Sequence, residues 1–463
     1  MSSGSRLHDY VPNGRELAEL FRLAIPIVTV QVGIMLMGVV DTIMIGHLSA
    51  TALAGVAIGN MYYFATAIFG MGVLMALDPL VSQAVGARDE PSIARAMQRG
   101  LMIALVLTVL ISLCMLPTSI VLSALRQPAD VIPGAATFTR IMIPGTLPLL
   151  AFTVFRQSLQ SMGIVRPIVW AILVANIVNA FLNWVLIFGN LGMPALGIAG
   201  SAWATSISRT LLCAIVAVAA WPRLHPYLLP WHPGAFDPAA LGRMLQLGVP
   251  IGFHHVLEYG LFATVMVLMG MLGTVELASH QIAINLASLT FMVPMGVAQA
   301  GGVLVGQAIG RGDANAARRS AGAGILCGVS FMSFTALLFL LSPGLVAALY
   351  TTDAAVLALS ISLIRMAGVF QIFDGLQVVA TGILRGIGDT RVPMLAGLLG
   401  FWIIGLPISI WLGLSRRSAI GLWWGLVAGL AATAVFLIAR VGHRLAGSVK
   451  RVDVEHAVNE RTN

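Results

Sequence analysis

The stretch LVSQAVGARD (Leu80–Asp89) recurs as LVGQAIGRGD (Leu304–Asp313), 224 residues further along the chain. Chance matches between apolar residues are common in hydrophobic sequences, but Gln, Gly and Asp matched at one offset are not. This offset, or one residue more, aligns further pairs: Pro26 with Pro250, Gly46 with Gly270, Gly72 with Gly296, Arg140 with Arg365, and Arg166 with Arg391. The chain therefore contains two repeats of one structural unit.

The composition identifies the environment of these repeats. Hydrophobic residues make up 58% of the 463 residues, charged residues make up 10%, and the mean hydropathy is +0.94. Soluble proteins average roughly 25% charged residues, so a soluble enzyme, a disordered chain and a collagen-like fibre are excluded. Long unbroken apolar runs argue against a membrane barrel, whose strands alternate apolar and polar residues. The sequence predicts a polytopic helical membrane protein.

A membrane-spanning helix needs about 20 mostly apolar residues. The sequence predicts twelve such spans, at 20–45, 53–78, 99–124, 134–155, 167–189, 196–221, 244–271, 277–302, 318–341, 355–382, 393–413 and 420–442. Each repeat then holds six spans, an even number, so both repeats enter the membrane in the same direction. The predicted fold is an all-α integral membrane protein of two six-helix bundles, related by a pseudo-two-fold axis along the membrane normal.

A proline-rich stretch separates the two repeats. Residues 222–242 contain five prolines, which argue against a continuous helix. We predict an N-terminal lobe over 1–221, a cytoplasmic linker over 222–242, a C-terminal lobe over 243–442 and a cytoplasmic polar tail over 443–463. Two bundles that face each other make a central cleft, the usual layout of an alternating-access transporter. A channel is an alternative, but nothing in the sequence resembles a selectivity-filter loop.

The basic residues predict the orientation. With a cytoplasmic N-terminus, 21 of the 26 Lys and Arg residues, Arg209 among them, fall in cytoplasmic segments. This excess follows the positive-inside rule and predicts an inner-membrane protein with both termini in the cytoplasm. The basic residues occur singly or in pairs rather than in clusters, so we expect no nucleic-acid partner. Polar residues 1–16 followed by a full-length apolar run predict a retained first span, not a cleavable signal.

Five segments of the chain resemble one transporter family. They are VDTIMIGHLSATALAGVAIG (Val40–Gly59), LVSQAVGARD (Leu80–Asp89), NIVNAFLNWVLIFGNLGMPALGIAGSAWA (Asn176–Ala204), ASHQIAINLASLTFMVPMGVAQAGGVLVGQAIGRGD (Ala278–Asp313) and GILRGIGDTRVPM (Gly382–Met394). They are similar to the multidrug and toxic compound extrusion (MATE) transporters, and the presence of both Glu258 and Asp374 resembles the NorM-like branch. The resemblance implies a V-shaped, two-lobed fold. It also implies export of drug-like, often cationic compounds, driven by inward flow of protons or sodium ions without a cofactor.

Three acidic residues lie well inside predicted spans: Asp41, Glu258 and Asp374. A charge at such a position costs at least about 2.5–3.5 kcal/mol, so it usually faces a cavity and has a function. Low polarity favours the protonated carboxyl, whereas the ionised form binds a sodium ion or a cationic drug. The repeat offset aligns each acid with an apolar residue of the other half. The two halves therefore share a scaffold but hold different sites.

In the first half, amide side chains accompany Asp41. Asn176, Asn179 and Asn183 are spaced three and four residues apart, so they lie on one helix face, and Thr205 belongs to the next span. Their oxygens suit a cation, and their N–H groups suit a carboxylate. In the family that the chain resembles, Asn179 and Asn183 match polar positions grouped with the first-helix aspartate. The alternative is that these amides only hold helices together.

In the second half, two histidines precede Glu258 on one helix face. His254 and His255 are spaced four and three residues before it, so either imidazole can form a pH-sensitive pair with the carboxylate. Ordinary hydrogen-bonded packing of both histidines is the alternative. Gln371, Asp374 and Gln377 form a polar stripe on the tenth predicted span.

Two further positions bear on coupling. The family often has a tyrosine where Phe370 stands, near the cation in sodium-coupled members, and the missing hydroxyl favours protons. Pro26 and Pro250 begin equivalent helices. A proline can bend a helix, so we predict that Pro26 lets its helix respond to the state of Asp41.

The sequence thus predicts a secondary active multidrug efflux transporter that exchanges organic compounds for protons or sodium ions. Its expected partners are drug-like small molecules and the lipid bilayer, and the expected state is a monomer. The alternative is a flippase for lipid-linked precursors, whose pyrophosphate substrates should need basic residues in the cleft. Here the buried charges are acidic and the arginines fall at predicted span ends. An enzyme is not expected, because no nucleophile–base pair or metal cluster lies within the spans.

Overall fold

A computed structural model describes residues 7–447 and 449–452 of the chain. Every regular element in these ranges is helical, including short 3-10 turns at Leu7–Tyr10, Asn190–Gly192 and Pro233–Phe236. The helices are α1 (Gly14–Gly46), α2 (Ala50–Leu74), α3 (Leu77–Ala87), α4 (Glu90–Met115), α5 (Thr118–Ala124), α6 (Ile132–Met142), α7 (Thr146–Ser161), α8 (Arg166–Phe188), α9 (Ile198–Ala219), α10 (Trp221–Leu228), α11 (Pro238–Leu272), α12 (Thr274–Gly310), α13 (Ala314–Leu341), α14 (Pro343–Ala348), α15 (Ala354–Ile387), α16 (Arg391–Leu414, which includes π-helical turns) and α17 (Ala419–Ala446).

The prediction of an all-α membrane protein is confirmed. In the described ranges, 11 helices are long and apolar enough to cross a membrane, or 12 if the bent pair α6 and α7 counts as one span. The bend of 53° was not part of the prediction, which gave one span over 134–155. Pro144 lies in the break and has no N–H to continue the helix. Gly145 beside it approaches the backbone of Ser206 so closely that a Cβ would lie 3.1 Å from the Ser206 Cα.

The repeated sequence motif has a local structural explanation. Asp89 caps α4 by accepting a hydrogen bond from the Ser92 N–H at 3.1 Å, and Asp313 caps α13 through the Ala316 N–H at 2.9 Å. The residues before them in the motif, Arg88 and Gly312, occupy equivalent positive-φ positions, with φ of 57° and 73°. The shared string therefore encodes the same turn and helix start twice.

The proline-rich linker is more ordered than predicted. Residues 221–228 form helix α10 although they include Pro222 and Pro226, and α11 begins at Pro238, inside the predicted linker. Proline is tolerated in the first turn, where an N–H has no partner in any case, and this accounts for Pro222 and Pro238; Pro226 lies further inside α10. The buried Gln98 of α4 fixes the segment, donating to the Tyr227 carbonyl at 3.0 Å and accepting from the His232 N–H at 2.9 Å.

The chain folds as two compact units. The first, here called the N-unit, contains Thr29–Gly252; the second, the C-unit, contains, among the described residues, those in the ranges 7–28 and 253–452. This division differs from the predicted lobes at two helices. The first part of α1 belongs to the C-unit and the first part of α11 belongs to the N-unit, and each division falls two residues after Pro26 or Pro250.

Specific contacts explain why the first part of α1 belongs to the C-unit and the first part of α11 belongs to the N-unit. In the C-unit, Glu16 of α1 accepts from Arg319 of α13 at 2.6 Å. In the N-unit, Gly248 and Gly252 of α11 pack so tightly on α2 that a Cβ would collide with the carbonyl oxygens of Val73 and Phe69. The remainder of α1 carries Asp41 into the N-unit, and the remainder of α11 carries Glu258 into the C-unit.

Candidate ion-coupling sites

Asp41 lies near the end of α1 in the N-unit and is held by hydrogen bonds from two other helices. Asn183 Nδ2 of α8 donates to Asp41 Oδ1 at 2.5 Å, and Thr205 Oγ1 of α9 donates to Asp41 Oδ2 at 2.9 Å. Asn183 Nδ2 also lies 3.2 Å from Asn179 Oδ1. The structure thus brings together Asp41, Asn179, Asn183 and Thr205.

The two asparagines keep further hydrogen-bonding capacity. Both side chains are fully buried, and Asn179 Nδ2 and Asn183 Oδ1 have no hydrogen-bond partner among the described residues. A buried polar atom without a partner costs free energy, so such atoms commonly mark a site for water, an ion or a ligand. A carboxylate surrounded by neutral amides and a hydroxyl can hold a proton, a sodium ion or an organic ammonium group.

Asn176 does not join this cluster. Its Nδ2 donates to the carbonyl oxygens of Gly33 at 3.0 Å and Ile172 at 2.8 Å, so it links α8 to the backbone of α1. Of the three asparagines predicted on one face of α8, Asn176 is the one that connects two helices. Spacing on one face could not reveal this, because the position of Asn176 relative to α1 depends on packing.

Arg209 is the charged residue that the sequence analysis misplaced. Its assignment to a cytoplasmic segment is wrong, because it is the twelfth of the 22 residues of α9 and lies one helical turn after Thr205. Its guanidinium carbon lies 4.5 Å from the centroid of the Tyr63 ring, and its charge interacts with that of Asp41 through space. The predicted span 196–221 already contained Arg209 near its centre, and this was the signal that could have found it.

In the C-unit, Glu258 of α11 and Asp374 of α15 form a pair of interacting carboxylates, of which Asp374 is buried and Glu258 is half-buried. His255 Nδ1 lies 3.7 Å from Glu258 Oε2. Asp374 is 5% exposed and makes no hydrogen bond or ion pair with the described residues, but its charge interacts with that of Glu258. Two interacting carboxyl groups resist being ionised together unless a cation accompanies them.

The remaining polar residues of this region have two roles: one lies next to the two carboxylates, and the other connects neighbouring helices. Gln377 Nε2 lies 3.4 Å from His254 Nε2, next to the carboxylates. Gln371 instead accepts a hydrogen bond from Thr335 of α13 at 2.7 Å, so it ties α15 to a neighbouring helix. Thr335 was not predicted, because nothing in the sequence links α13 to this position.

Phe370 lies one turn before Asp374 and belongs to an apolar aromatic cluster. It is 1% exposed, and its ring centroid lies 6.1 Å from that of Phe262 and 5.7 Å from that of Trp423. The three rings of this cluster carry no hydroxyl oxygen that a metal cation could use.

Pro26, predicted to let its helix respond to the state of Asp41, is the remaining site residue. Pro26 lies inside α1, which continues as one helix from Gly14 to Gly46. Within the described ranges, no group of three or more His, Cys, Asp or Glu side chains is arranged to hold a metal ion.

Comparison with known proteins gives the family. The MatE family model matches residues 26–185 and again residues 250–411, once in each repeat. The chain is 36% identical to "Probable multidrug resistance protein NorM" of Rhizobium meliloti over 90% of this chain and 91% of that protein. It is also 36% identical to a protein of the same name from Burkholderia mallei, over 95% of each.

Solved structures share the fold. The eukaryotic MATE transporter AtDTX14 superposes with a TM-score of 0.86 at 21% identity, covering 93% of this chain and 97% of that one. The outward-facing structure of a multidrug resistance MATE family transporter superposes with a TM-score of 0.81 at 19% identity, covering 93% and 96%. With the two matches to the family model and these relatives, the chain belongs to the MatE family and has the two-lobed fold of the MATE transporters.

Proposed function

We propose that this protein is a multidrug efflux transporter that exports organic, often cationic compounds in exchange for protons or sodium ions by alternating access. The observation that carries the proposal is the state of the three carboxylates inside the spans. Among the described residues, Asp41, Glu258 and Asp374 form no ion pair with an arginine or lysine. Asp41 accepts hydrogen bonds from the neutral Asn183 and Thr205, and His255 lies 3.7 Å from Glu258. Carboxylates neutralised by fixed cations could not exchange one mobile cation for another.

The exchange follows from competition at one carboxyl group. When a proton or sodium ion occupies it, the site is neutral and cannot attract a cationic drug; when the ion leaves, the negative charge can bind the drug. A conformational change that occurs only in the occupied states couples the two fluxes. The names of the relatives, multidrug resistance proteins, support drug-like compounds as the substrates.

Protons are the coupling ion that we favour for the C-unit. Asp374 accepts no hydrogen bond from the described residues, Phe370 supplies no hydroxyl, and His255 next to Glu258 can share a proton. The N-unit cluster, with amide and hydroxyl oxygens around Asp41, has the ligand types that also suit sodium.

We further propose a monomer in the cytoplasmic membrane with both termini in the cytoplasm. Arg209 no longer counts towards the cytoplasmic excess of basic residues, but the loop and tail residues that remain still follow the positive-inside rule. Inside the membrane, the drug and the coupling ion are the only partners that this account requires.

The flippase alternative retains one favourable observation, Arg209 in the middle of α9. A pyrophosphate group normally needs several charge-assisted contacts. The buried Arg99 and Arg156 instead donate to the Gly234 carbonyl at 2.6 Å and to Gln31 Oε1 at 3.0 Å. Multidrug export therefore remains the better account.

The test is efflux of a fluorescent organic cation from proteoliposomes, with proton and sodium gradients imposed separately. We expect the proton gradient alone to drive efflux in the wild type, and Asp41→Asn and Asp374→Asn to lose it. Arg365→Gln, an exposed change on α15 away from the acids, is the matched control and should retain efflux. Efflux driven only by sodium would refute proton coupling, and no efflux under either gradient would refute the drug-exporter proposal.

A further inference from the structure

The linker between the two repeats exposes large aromatic side chains on the N-unit. In residues 221–237, Trp221, Trp231 and Phe236 are 45%, 42% and 58% exposed, and the ring centroids of Trp231 and Phe236 lie 5.7 Å apart in a stack. Single exposed apolar residues are ordinary, but three large rings in one short segment form a surface that usually contacts a partner or a membrane. The exchange of drug for ion does not use this surface.

Contacts with α4 place the linker beside the start of a lipid-facing helix surface. The buried Gln98 and Arg99 hold it, since Gln98 Nε2 donates to the Tyr227 carbonyl at 3.0 Å and Arg99 Nη2 donates to the Gly234 carbonyl at 2.6 Å. From Leu105 on, α4 exposes large apolar side chains, as expected of a helix that crosses a membrane. At 1.5 Å per residue, the distance along α4 from Arg99 to Leu105 is only about 9 Å. The linker therefore lies at the depth of the lipid headgroups.

Helix α10, which begins the linker, has the two-sided character of an interfacial helix. Its Leu224 is fully buried, so the residues on either side of Leu224 meet the surroundings. Trp221 and Arg223 are both exposed, and their two-residue spacing separates them by about 160° around the helix. The Trp221 ring lies against that of His225, with 5.3 Å between centroids. An aromatic ring on one flank and a guanidinium on the other suit a helix that lies in the membrane–water interface.

The Arg223 side chain is available to an anion. It forms no hydrogen bond and no ion pair with the described residues. Of the nearby acids, Asp237 lies 3.8 Å from Arg243, and Glu90 of α4 forms no ion pair with Arg223 in the described part of the chain. An unpaired arginine at headgroup depth is attracted by the negative charge of acidic lipids.

We propose that the linker, residues 221–237, is a binding surface for acidic phospholipids. In this arrangement the Arg223 guanidinium binds the headgroup phosphate, which its planar fork matches through two parallel hydrogen bonds. Trp221, Trp231 and Phe236 lie beside the glycerol and the upper acyl chains, the depth at which tryptophan is enriched in membrane proteins. The lipid thereby fixes to the bilayer the segment that joins the two repeats.

The experiment identifies the lipid next to Trp221 by fluorescence quenching. The full-length protein is reconstituted into phosphatidylcholine vesicles in which a fixed share of the lipid is either brominated phosphatidylglycerol or brominated phosphatidylcholine, with the bromines close to the headgroup. Subtracting the signal of Trp221→Phe isolates Trp221 from the other tryptophans. We expect phosphatidylglycerol to be enriched about fivefold over phosphatidylcholine beside Trp221, the fold-change that one arginine near an acidic surface provides. In about 1 M sodium chloride the enrichment should disappear, because salt screens the attraction.

Matched variants separate the charge from the fold. Arg223→Gln should bring the enrichment close to onefold, and Arg223→Lys, which keeps the charge, should retain most of it. Arg416→Gln is the control, because it removes an exposed arginine that lies against Trp411 in the C-unit and leaves the linker intact. Each variant is compared with its own Trp221→Phe background.

Three results would overturn the proposal. Trp221 unquenched by both lipids would show that the linker faces water or another protein. Equal quenching by the two lipids would show that it lies in the bilayer without binding an acidic headgroup. The same loss of enrichment in Arg416→Gln as in Arg223→Gln would show a general effect of net charge. The measurement needs no transport, so a failure of the efflux assay refutes the exporter proposal and leaves this one standing.

Discussion

The N-unit and the C-unit surround their carboxylates in opposite ways. Asp41 receives hydrogen bonds from Asn183 and Thr205 and faces the charge of Arg209, so its ionised form is supported from several sides. Asp374 receives no hydrogen bond from the described residues and faces a second carboxylate, Glu258. The first environment stabilises a negative charge that can hold a cation or an ammonium group, and the second favours a shared proton.

This difference shows how a duplicated scaffold acquires two chemistries. The repeats retain the turn and cap at Asp89 and Asp313, because those residues start equivalent helices in both halves. The acids are not duplicated: the position of Asp41 carries Val265 in the second half, and that of Glu258 carries Ile34 in the first. The scaffold is shared between the repeats, whereas the acidic residues are specific to each.

The largest expected effect tests the C-unit pair. Glu258→Gln and Asp374→Asn each remove one of two interacting carboxyl groups, and we expect proton-driven efflux to fall to the level of empty vesicles. The measurement is efflux of an organic cation under an imposed proton gradient. Gln371→Leu is the control, because Gln371 bonds Thr335 rather than the acids. Retained efflux in both acid variants would show that the pair is structural.

The next prediction concerns the part of α11 that belongs to the N-unit. Gly248→Ala would drive a Cβ into the Val73 carbonyl oxygen, and we expect it to lower the free energy of unfolding by about 3 kcal/mol, the upper part of the range for overpacking. Gly242→Ala on the same helix meets no atom within 4 Å and should be neutral or slightly stabilising. Thermal unfolding in detergent measures both. Equal stability of the two variants would contradict the close packing of α11 on α2.

A third change would make the N-unit more like a two-acid site. Asn183→Asp places a second carboxylate against Asp41, so a bound sodium ion should be needed to relieve the repulsion. At sodium ten times the Kd, we expect a stabilisation of about 1.4 kcal/mol in thermal unfolding, with choline as the reference cation.

Asn176→Asp is its matched control, because Asn176 bonds the backbone of Gly33 and Ile172 and not Asp41. Sodium should leave its melting temperature unchanged. If sodium stabilised both variants equally, the stabilisation would come from the added charge in general. The prediction that a second carboxylate beside Asp41 creates a sodium site would then be contradicted.

The smallest expected effect tests the missing hydroxyl of the C-unit. Phe370→Tyr adds an oxygen one turn from Asp374, and we expect a sodium-driven component of efflux to appear, limited to several-fold because one neutral hydrogen-bonding group contributes only about 1 kcal/mol. Phe262→Tyr, on the other ring of the same aromatic cluster, is the control and should add no sodium dependence. A sodium response in both variants would show that sodium-driven efflux does not depend on a hydroxyl at position 370.

Much of the architecture could be predicted from the sequence, because span length and the repeat are local signals. The bend at Pro144 was missed although proline is a helix breaker, since hydropathy over a window of one span does not register a break of three residues. Helix α10 was missed for the opposite reason. Its prolines argued against a helix, but Gln98, remote in sequence, holds the segment in place.

The sequence could predict which residues belong to the candidate sites, but not which residues each of them contacts. The three acids and the Asn179 and Asn183 amides could be selected because polar groups in apolar spans are rare. Which amides face Asp41 depends on how α8 packs against α1, and helical spacing alone treats Asn176 and Asn183 alike. Arg209 was misplaced because the topology count assigned every arginine to a loop, although its own predicted span enclosed it.

The central claim is that the C-unit carboxylates carry the proton that is exchanged for the drug. The most direct measurement is proton release, followed with a pH indicator in weakly buffered detergent solution, when an organic cation is added to purified protein. We predict release in the wild type and in Asp41→Asn, and none in Asp374→Asn. Release that persists in Asp374→Asn but is lost in Asp41→Asn would contradict the account, as would displacement of radioactive sodium without any proton release.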